Sequence, residues 1–456
     1  MIGGELMDII GLLGLIASLV LLIYLTMRGT NIIVAAILSS ILVAVMGGLN
    51  LETALMDNYM TGFTDYFASW FLVFLLGAIF GKIMEETKSA ESIAKWIKNT
   101  LGAKRAVFAV VAAAAIMTYG GVSLFVVGFA VYPIAVSLFR AANLPHRFIP
   151  AALVFGSISF TMTAPGSPEI QNIIPTEFFG TTPAAGGFIG VISAALVAII
   201  GGWWLGKMVK KATASGETFS PPNESLAAKE SAAALAKTEE EESHHVSSAD
   251  KLPNIIIAAM PLVVVIVLLN ILGQFINPTT ALLVALTTGI GLACITMNKF
   301  LKEFWGSLSV GTQNALVALA NTCAVVGFGS VAAQLSAFDS IVEALMNMPG
   351  PPLMGLAIGV TVVCGITGSA SGGLGIALPI LAPIYMGQGL DQGAMHRVSA
   401  LASGGIDSLP HNGYVVTTVR AICGESHKRA YKPIFMVSVI VPLIIMFLAV
   451  FLYSIF

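Results

Sequence analysis

Residues 131–147 read VYPIAVSLFRAANLPHR, and residues 381–397 read LAPIYMGQGLDQGAMHR. In the first stretch Pro133-Ile134 is followed after eleven residues by His146-Arg147, and in the second Pro383-Ile384 is followed after eleven by His396-Arg397. All four positions differ by 250 (383−133, 384−134, 396−146, 397−147). One His-Arg pair is a coincidence; a Pro-Ile pair in the same register points to an internal duplication. Working outward, each copy has a Gly/Ser-rich turn upstream and a polar, Pro-containing break downstream. The turns are Thr118-Tyr119-Gly120-Gly121-Val122-Ser123 and Thr367-Gly368-Ser369-Ala370-Ser371-Gly372-Gly373. The breaks are Thr161-Met162-Thr163-Ala164-Pro165-Gly166-Ser167-Pro168-Glu169-Ile170-Gln171-Asn172 and Asp407-Ser408-Leu409-Pro410-His411-Asn412-Gly413.

The chain around these motifs is 57% hydrophobic and 10% charged, with a mean hydropathy of +0.90. Soluble domains carry about 25% charged residues, so lipid rather than water is the expected solvent for much of the surface. A net charge of −2 gives no basic excess for nucleic acid. No dinucleotide, phosphate-loop or zinc-ligand spacing is present, so no metal or cofactor is expected. The four cysteines (Cys294, Cys323, Cys364, Cys423) lie scattered in apolar runs without a CxxC, and are expected as core fillers.

Apolar stretches near the membrane-spanning length of about 20 residues lie around 9–27, 30–48, 68–84, 185–206, 253–275, 279–297, 309–335 and 433–455. The first has Glu5 and Asp8 before it and Arg28 after it, the reverse of a secretory signal. It is expected to be an uncleaved span with its N-terminus outside. Four other segments are apolar but broken by Gly, Pro and Ser: about 105–140, 148–178, 352–388 and 397–421.

Lys and Arg placement orients the spans. The run Lys82, Lys88, Lys95, Lys98, Lys104, Arg105 marks the cytoplasmic side, and segment 105–140 also ends near basic residues, Arg140 and Arg147. It therefore reads as a hairpin dipping in from inside, the alternative being two ordinary spans with a tight outer turn. Segment 352–388 is flanked by stretches without Lys or Arg, including one with Asp339 and Glu343, and reads as a hairpin entering from outside. Residues 212–251, rich in Ala, Ser, Glu and Lys, read as a cytoplasmic acidic linker. The expected division is an N-terminal repeat 1–211, the linker, and a C-terminal repeat 252–456, with both chain termini outside. The fold class is thus all-α integral membrane, with two inverted-topology repeats, each holding spanning helices, a re-entrant hairpin and a broken helix. Inverted repeats recur in secondary transporters.

Helix breaks at membrane depth are kept where protein, water or ligand satisfies the freed backbone groups. The turns offer Thr118, Gly120, Gly121, Ser123, Ser369, Ser371 and Gly372: close backbone approach, neutral hydroxyls, and helix N-termini suited to an anion. Plain close packing of small residues is the alternative. The breaks offer Thr163, Gly166, Ser167, Asn172 and Asn412, whose amides suit a carboxylate or a hydroxyl. Intramembrane ionisable groups are functional suspects by default: Asp407 and His411 suit proton coupling, and Glu169 is a further candidate unless it sits at the outer water boundary. His411 bonded to a freed carbonyl is the structural alternative. Arg147 and Arg397 read as helix-end anchors that snorkel, with attraction of an anionic substrate as the rival. Asp65, Glu85 and Glu86 read as span-end charges, and residues 87–101 as an interfacial amphipathic helix.

At its breaks the chain resembles the gluconate permease (GntP) family of the ion transporter superfamily. The stretch Pro165-Gly166-Ser167-Pro168-Glu169-Ile170-Gln171-Asn172-Ile173-Ile174-Pro175, followed by Phe179-Gly180-Thr181-Thr182-Pro183, looks like the D-3-hydroxybutyrate permease branch. The resemblance covers both halves and implies proton symport of a small hydroxylated or short-chain carboxylate. It also implies a homodimer in the cytoplasmic (inner) membrane whose hairpins and broken helices move elevator-fashion. Sugar-acid members carry a His-Pro-Gly-Pro-type break; Ala164-Pro165-Gly166-Ser167-Pro168 lacks that His, which speaks for a smaller ligand than gluconate. Sodium coupling, a gluconate- or glycerate-type permease and an anion channel are the rival readings. An enzyme would need a base beside a nucleophile, and only His411 with nearby serines offers a seed.

Overall fold

The computed structural model describes residues 2–28, 30–122, 124–220, 252–336, 348–410 and 412–456. Ser123, His411, Asp339, Glu343 and most of the 212–251 linker lie outside the described residues. Every regular element among those described is helical. In the first half these are α1 (Ile2–Met27), α2 (Ile32–Met46), α3 (Met60–Glu86), α4 (Ser89–Leu101), α5 (Ala106–Tyr119) and α6 (Leu124–Ala141). They continue with α7 (Ile149–Val154), α8 (Ile170–Phe179) and α9 (Gly187–Ala214). The second half holds α10 (Ile255–Leu272), α11 (Pro278–Thr296), α12 (Phe304–Ala332), α13 (Pro352–Thr367) and α14 (Ala370–Met386). It closes with α15 (Gln392–Ser403), α16 (Gly413–Thr417), α17 (His427–Phe435) and α18 (Val441–Ile455).

Local chemistry sets many boundaries. Asn31, Asn254 and Asn277 cap α2, α10 and α11, each side chain accepting from a backbone N–H two residues on. Asp391 caps α15 through the Ala394 N–H at 2.7 Å. Gly180 and Gly368 close α8 and α13 in the left-handed conformation, φ 62° and 59°. Among the described residues, six helical stretches are long and apolar enough to cross a membrane: 53–86, 187–214, 255–272, 278–296, 304–332 and 427–455.

Both halves run in the same order: two helices, a long third helix, a helical hairpin, an interrupted segment, and a closing helix. The third helices α3 and α12 form the largest contact in the molecule, flanked by α1–α2 and by α10–α11. Each hairpin packs its first arm on the segment that follows it, α5 on α7 and α13 on α15. Each second arm reaches the other half, α6 to residues 418–422 and α14 to α8. At about 1.5 Å per residue, the 14 residues of α5 and the 16 of α13 reach only about 21 and 24 Å, short of a hydrocarbon core of about 30 Å.

Two expectations change. The span expected at 68–84, with Asp65 as a span-end charge, begins earlier: the chain is helical from the π-helical turn Thr53–Tyr59 onward and continuous with α3. Exposed acids tolerate a helix, and helical propensity with packing against α12 carries it past the apolar run. The amphipathic segment 87–101 is a helix, but Ile93 and Ile97 are buried while Trp96 is half exposed. Its apolar face packs on α5, α6 and α10 rather than facing lipid alone.

Candidate functional site

The first hairpin tip turns through Gly120 and Gly121, the latter at φ 89°, with the Gly121 and Val122 N–H groups closing onto Thr118 and Met117 carbonyls. A Cβ on Gly120 would fall 2.7 Å from Leu262 of α10, so this glycine serves close packing. One on Gly121 would meet Pro168 at 3.4 Å, which places tip and break in contact. Thr118 is fully buried and its Oγ1 has no hydrogen-bond partner.

The first break separates the π-helical turn Phe155–Ser159 from α8. Several of its carbonyls are claimed by protein donors. Tyr119 Oη donates to the Pro165 carbonyl at 2.7 Å, and Asn270 Nδ2 of α10 donates to that of Gly166 at 3.0 Å. Asn172 Nδ2 donates to Ser167 and Pro183 carbonyls at 2.8 and 2.9 Å, while its Oδ1 lies 3.2 Å from His396 Nε2. Ser167 Oγ accepts from the Glu169 N–H at 3.3 Å. Glu169 stands half-buried at the N-cap of α8 without capping it, and Gln171, two residues on, keeps a buried Oε1 with no partner.

Arg397 departs from the snorkelling expectation. It is 0% exposed, and its guanidinium donates to the carbonyls of Thr163, Pro183 and Ala185. The fork suits several carbonyls at fixed angles, so the side chain clamps the start of the first break to the loop beyond α8. Its counterpart Arg147 does sit at the protein edge, where Nε and Nη2 bind both oxygens of Glu217 at 2.7 and 2.8 Å. These hydrogen bonds, with the Arg147 charge, hold the Glu217 carboxyl below its ordinary pKa.

The second break, residues 404–412, mirrors the first in its ties. Asn412 caps α16 through the Val415 N–H at 2.8 Å and donates to the Gly368 carbonyl at 3.0 Å, fastening the break to its own tip as Tyr119 does in the other half. Ser369 caps α14 through the Gly372 N–H at 3.2 Å, with Ser371 Oγ 3.5 Å away. Asp407 is buried, accepts from Ser408 Oγ at 2.9 Å, and has no cationic partner among the described residues.

Of the residues singled out from sequence, Thr118, Gly121, Thr163, Gly166, Ser167 and Asn172 gather around the first break, and Ser369, Ser371, Gly372, Asp407 and Asn412 around the second. Thr163 and Gly404 touch across the halves, a Cβ on Gly404 lying 3.0 Å from Thr163 Cγ2. Both amides, Asn172 and Asn412, hold protein groups in this conformation. Sequence reasoning gave no role to Tyr119, Gln171 or Asn270, and read Arg397 as a snorkelling anchor with anion attraction as the rival. Arg397 stood in the repeat motif, where its apolar surroundings were the available signal.

An all-helical, lipid-dissolved fold with paired hairpins and interrupted helices defines a multi-pass membrane permease. The sequence matches the description GntP family permease over residues 9–408. It is 35% identical to the Bacillus subtilis (strain 168) protein named uncharacterized transporter YxjC, covering 93% of this chain and 95% of that one. The chain belongs to the GntP permease family. Among solved structures it is similar to the YdaH transporter of Alcanivorax borkumensis, at 14% identity and TM-score 0.44, over 89% of this chain and 88% of that one. It is also similar to Neisseria gonorrhoeae MtrF, of a class titled antimetabolite efflux pumps, at 14% and 0.45, over 89% and 84%.

Proposed function

We propose that this permease is a proton-coupled symporter of a small hydroxycarboxylate, with 3-hydroxybutyrate the first candidate, in the cytoplasmic membrane. The observation that carries the reading is the pair of buried polar atoms without partners beside the first break, Thr118 Oγ1 and Gln171 Oε1. A hydroxyl donor suits a carboxylate and an amide oxygen accepts from a substrate hydroxyl. The uncapped N-terminus of α8 adds a favourable dipole end. Proton carriage falls to the buried carboxyl of Asp407 and to Glu169, with His411 as the sequence-level third. Coupling to H⁺ rather than Na⁺ is supported by the carbonyls of Pro165, Gly166, Ser167 and Ser408, which already accept from Tyr119, Asn270, Asn172 and Tyr431.

The same reading takes residues 1–211 and 252–456 as inverted repeats, the linker as cytoplasmic, both termini as external, and a homodimer moving elevator-fashion. The test is purified protein in liposomes with an imposed pH gradient and labelled 3-hydroxybutyrate. Uptake should follow the gradient, and Thr118→Val should lower it about tenfold, the worth of one hydrogen bond to a charged group. No gradient-driven uptake of this or any related carboxylate overturns the reading. Uptake that follows sodium at clamped pH replaces the coupling ion.

A further inference from the structure

His146, the first-half partner of His396, lies away from both breaks and is 2% exposed. Its Nδ1 is 2.9 Å from Glu425 Oε1, and both side chains are 1% exposed. Its Nε2 is 3.1 Å from Tyr132 Oη, which in turn lies 3.5 Å from the Cys423 carbonyl. Arg429 Nη1 stands 3.7 Å from the second oxygen of Glu425. These groups come from three elements beside the imidazole: Tyr132 from α6, Cys423 and Glu425 from the turn before α17, and Arg429 from α17. At the rim are Arg147, Glu217 and Arg140.

We propose that His146 and Glu425, with Tyr132 and Arg429, form a proton-binding site. The geometry accommodates both protonation states. With a neutral ring, Nδ1–H donates to Glu425 and the Tyr132 hydroxyl donates to Nε2. When a proton adds to Nε2, that nitrogen becomes a donor to the Tyr132 oxygen, and the hydroxyl turns its hydrogen to the Cys423 carbonyl. One hydroxyl rotation therefore keeps both ring nitrogens and the Tyr132 oxygen partnered in either state. Charge is also compensated in each state. The imidazolium pairs with the carboxylate; with a neutral ring, the remaining carboxylate keeps Arg429. A buried charge without such compensation is strongly disfavoured.

The site has a cover. Phe219 packs edge-on against the His146 ring at 5.9 Å between centroids, its N–H donates to Asn143 Oδ1 at 3.1 Å, and Arg140 lies 5.3 Å over its face. Two residues earlier Glu217 is gripped by Arg147. The first residues past α9 thus strap the pair against solvent, and a proton enters or leaves when the strap lifts.

The decisive measurement is potentiometric titration of the purified full-length protein in detergent across the range in which it stays folded. His146→Gln should bind one proton fewer per chain than wild type, and Glu425→Gln should lose the same proton. The double variant should lose no more than either single. Tyr132→Phe, which deletes one oxygen, displaces the wild-type curve and serves where a charge variant fails to fold. Full wild-type proton uptake in Glu425→Gln, or losses that add in the double variant, overturns the proposal. A normal titration without gradient-driven uptake by liposomes leaves this site standing and removes the symport reading instead.

Discussion

The two His-Arg pairs occupy the same register 250 residues apart, yet they hold the protein together by different chemistry. His146-Arg147 binds carboxylates: Glu425 inside, Glu217 at the edge. His396-Arg397 binds neutral groups, the imidazole between Thr181 and Asn172 and the guanidinium on three carbonyls. In both halves the histidine reaches across to the other half, just past its break. The difference teaches that a duplicated motif can keep its reach while its partners diverge. The first-half pair meets carboxylates. The second-half pair fixes neutral groups and forms no ion pair with a carboxylate among the described residues.

The contrast breaks most visibly at Arg397. Arg397→Leu leaves buried carbonyls at Thr163, Pro183 and Ala185 without donors, and the cost should be about 3–5 kcal/mol. Thermal unfolding in detergent measures it, and Arg397→Lys should recover less than half because an ammonium lacks the fork. A variant as stable as wild type would show that water replaces the clamp. Next in size is Glu425→Leu, which strands His146 and should cost about 3 kcal/mol, whereas His396→Leu should cost about 1–2 kcal/mol by losing neutral hydrogen bonds only. Equal costs would erase the ionic-versus-neutral distinction.

The smallest effect belongs to the edge. Arg147→Ala should change stability by about 0.5–1 kcal/mol, since Glu217 is half exposed. Because the carboxyl of Glu217 is held below its ordinary pKa, its contribution is complete above the unfolded value of about 4.3. That contribution is lost only as pH falls through the lower folded value. Proteolysis of the segment after α9 should therefore stay slow from about pH 8 down to about pH 5 in wild type, and be faster throughout in Arg147→Ala.

Much of this fold could be read from punctuation. Glycine and proline within apolar runs marked both hairpins and both breaks, because a bilayer allows such interruptions only at special places. The 250-residue register pointed to a duplication. The helical stretch ahead of residue 68, through Asp57 and Asp65, was not foreseen because the span was read from the apolar run alone, although an exposed helix end carries acids at little cost. The partners of His146 and His396 were invisible for a different reason. Periodicity reports neighbours within a few turns, whereas Glu425 lies 279 residues from His146. One signal was present: in the repeat register Glu425 stands opposite Pro175 (425−250 = 175), so an ionisable residue appears in one copy only.

The contact of Gly120 with Leu262 has a mechanical side. Under the proposed elevator movement, the first tip glides along α10, and a bare backbone against leucine gives a smooth track with low friction. Polar catches on that track come from Asn270 gripping Gly166 at 3.0 Å and from Thr279 of α11 gripping Glu177 at 2.7 Å. Both act after the tip, on the break and on α8, so under that proposal they would serve as a detent, holding the carriage at one stop and leaving the rest of its travel free.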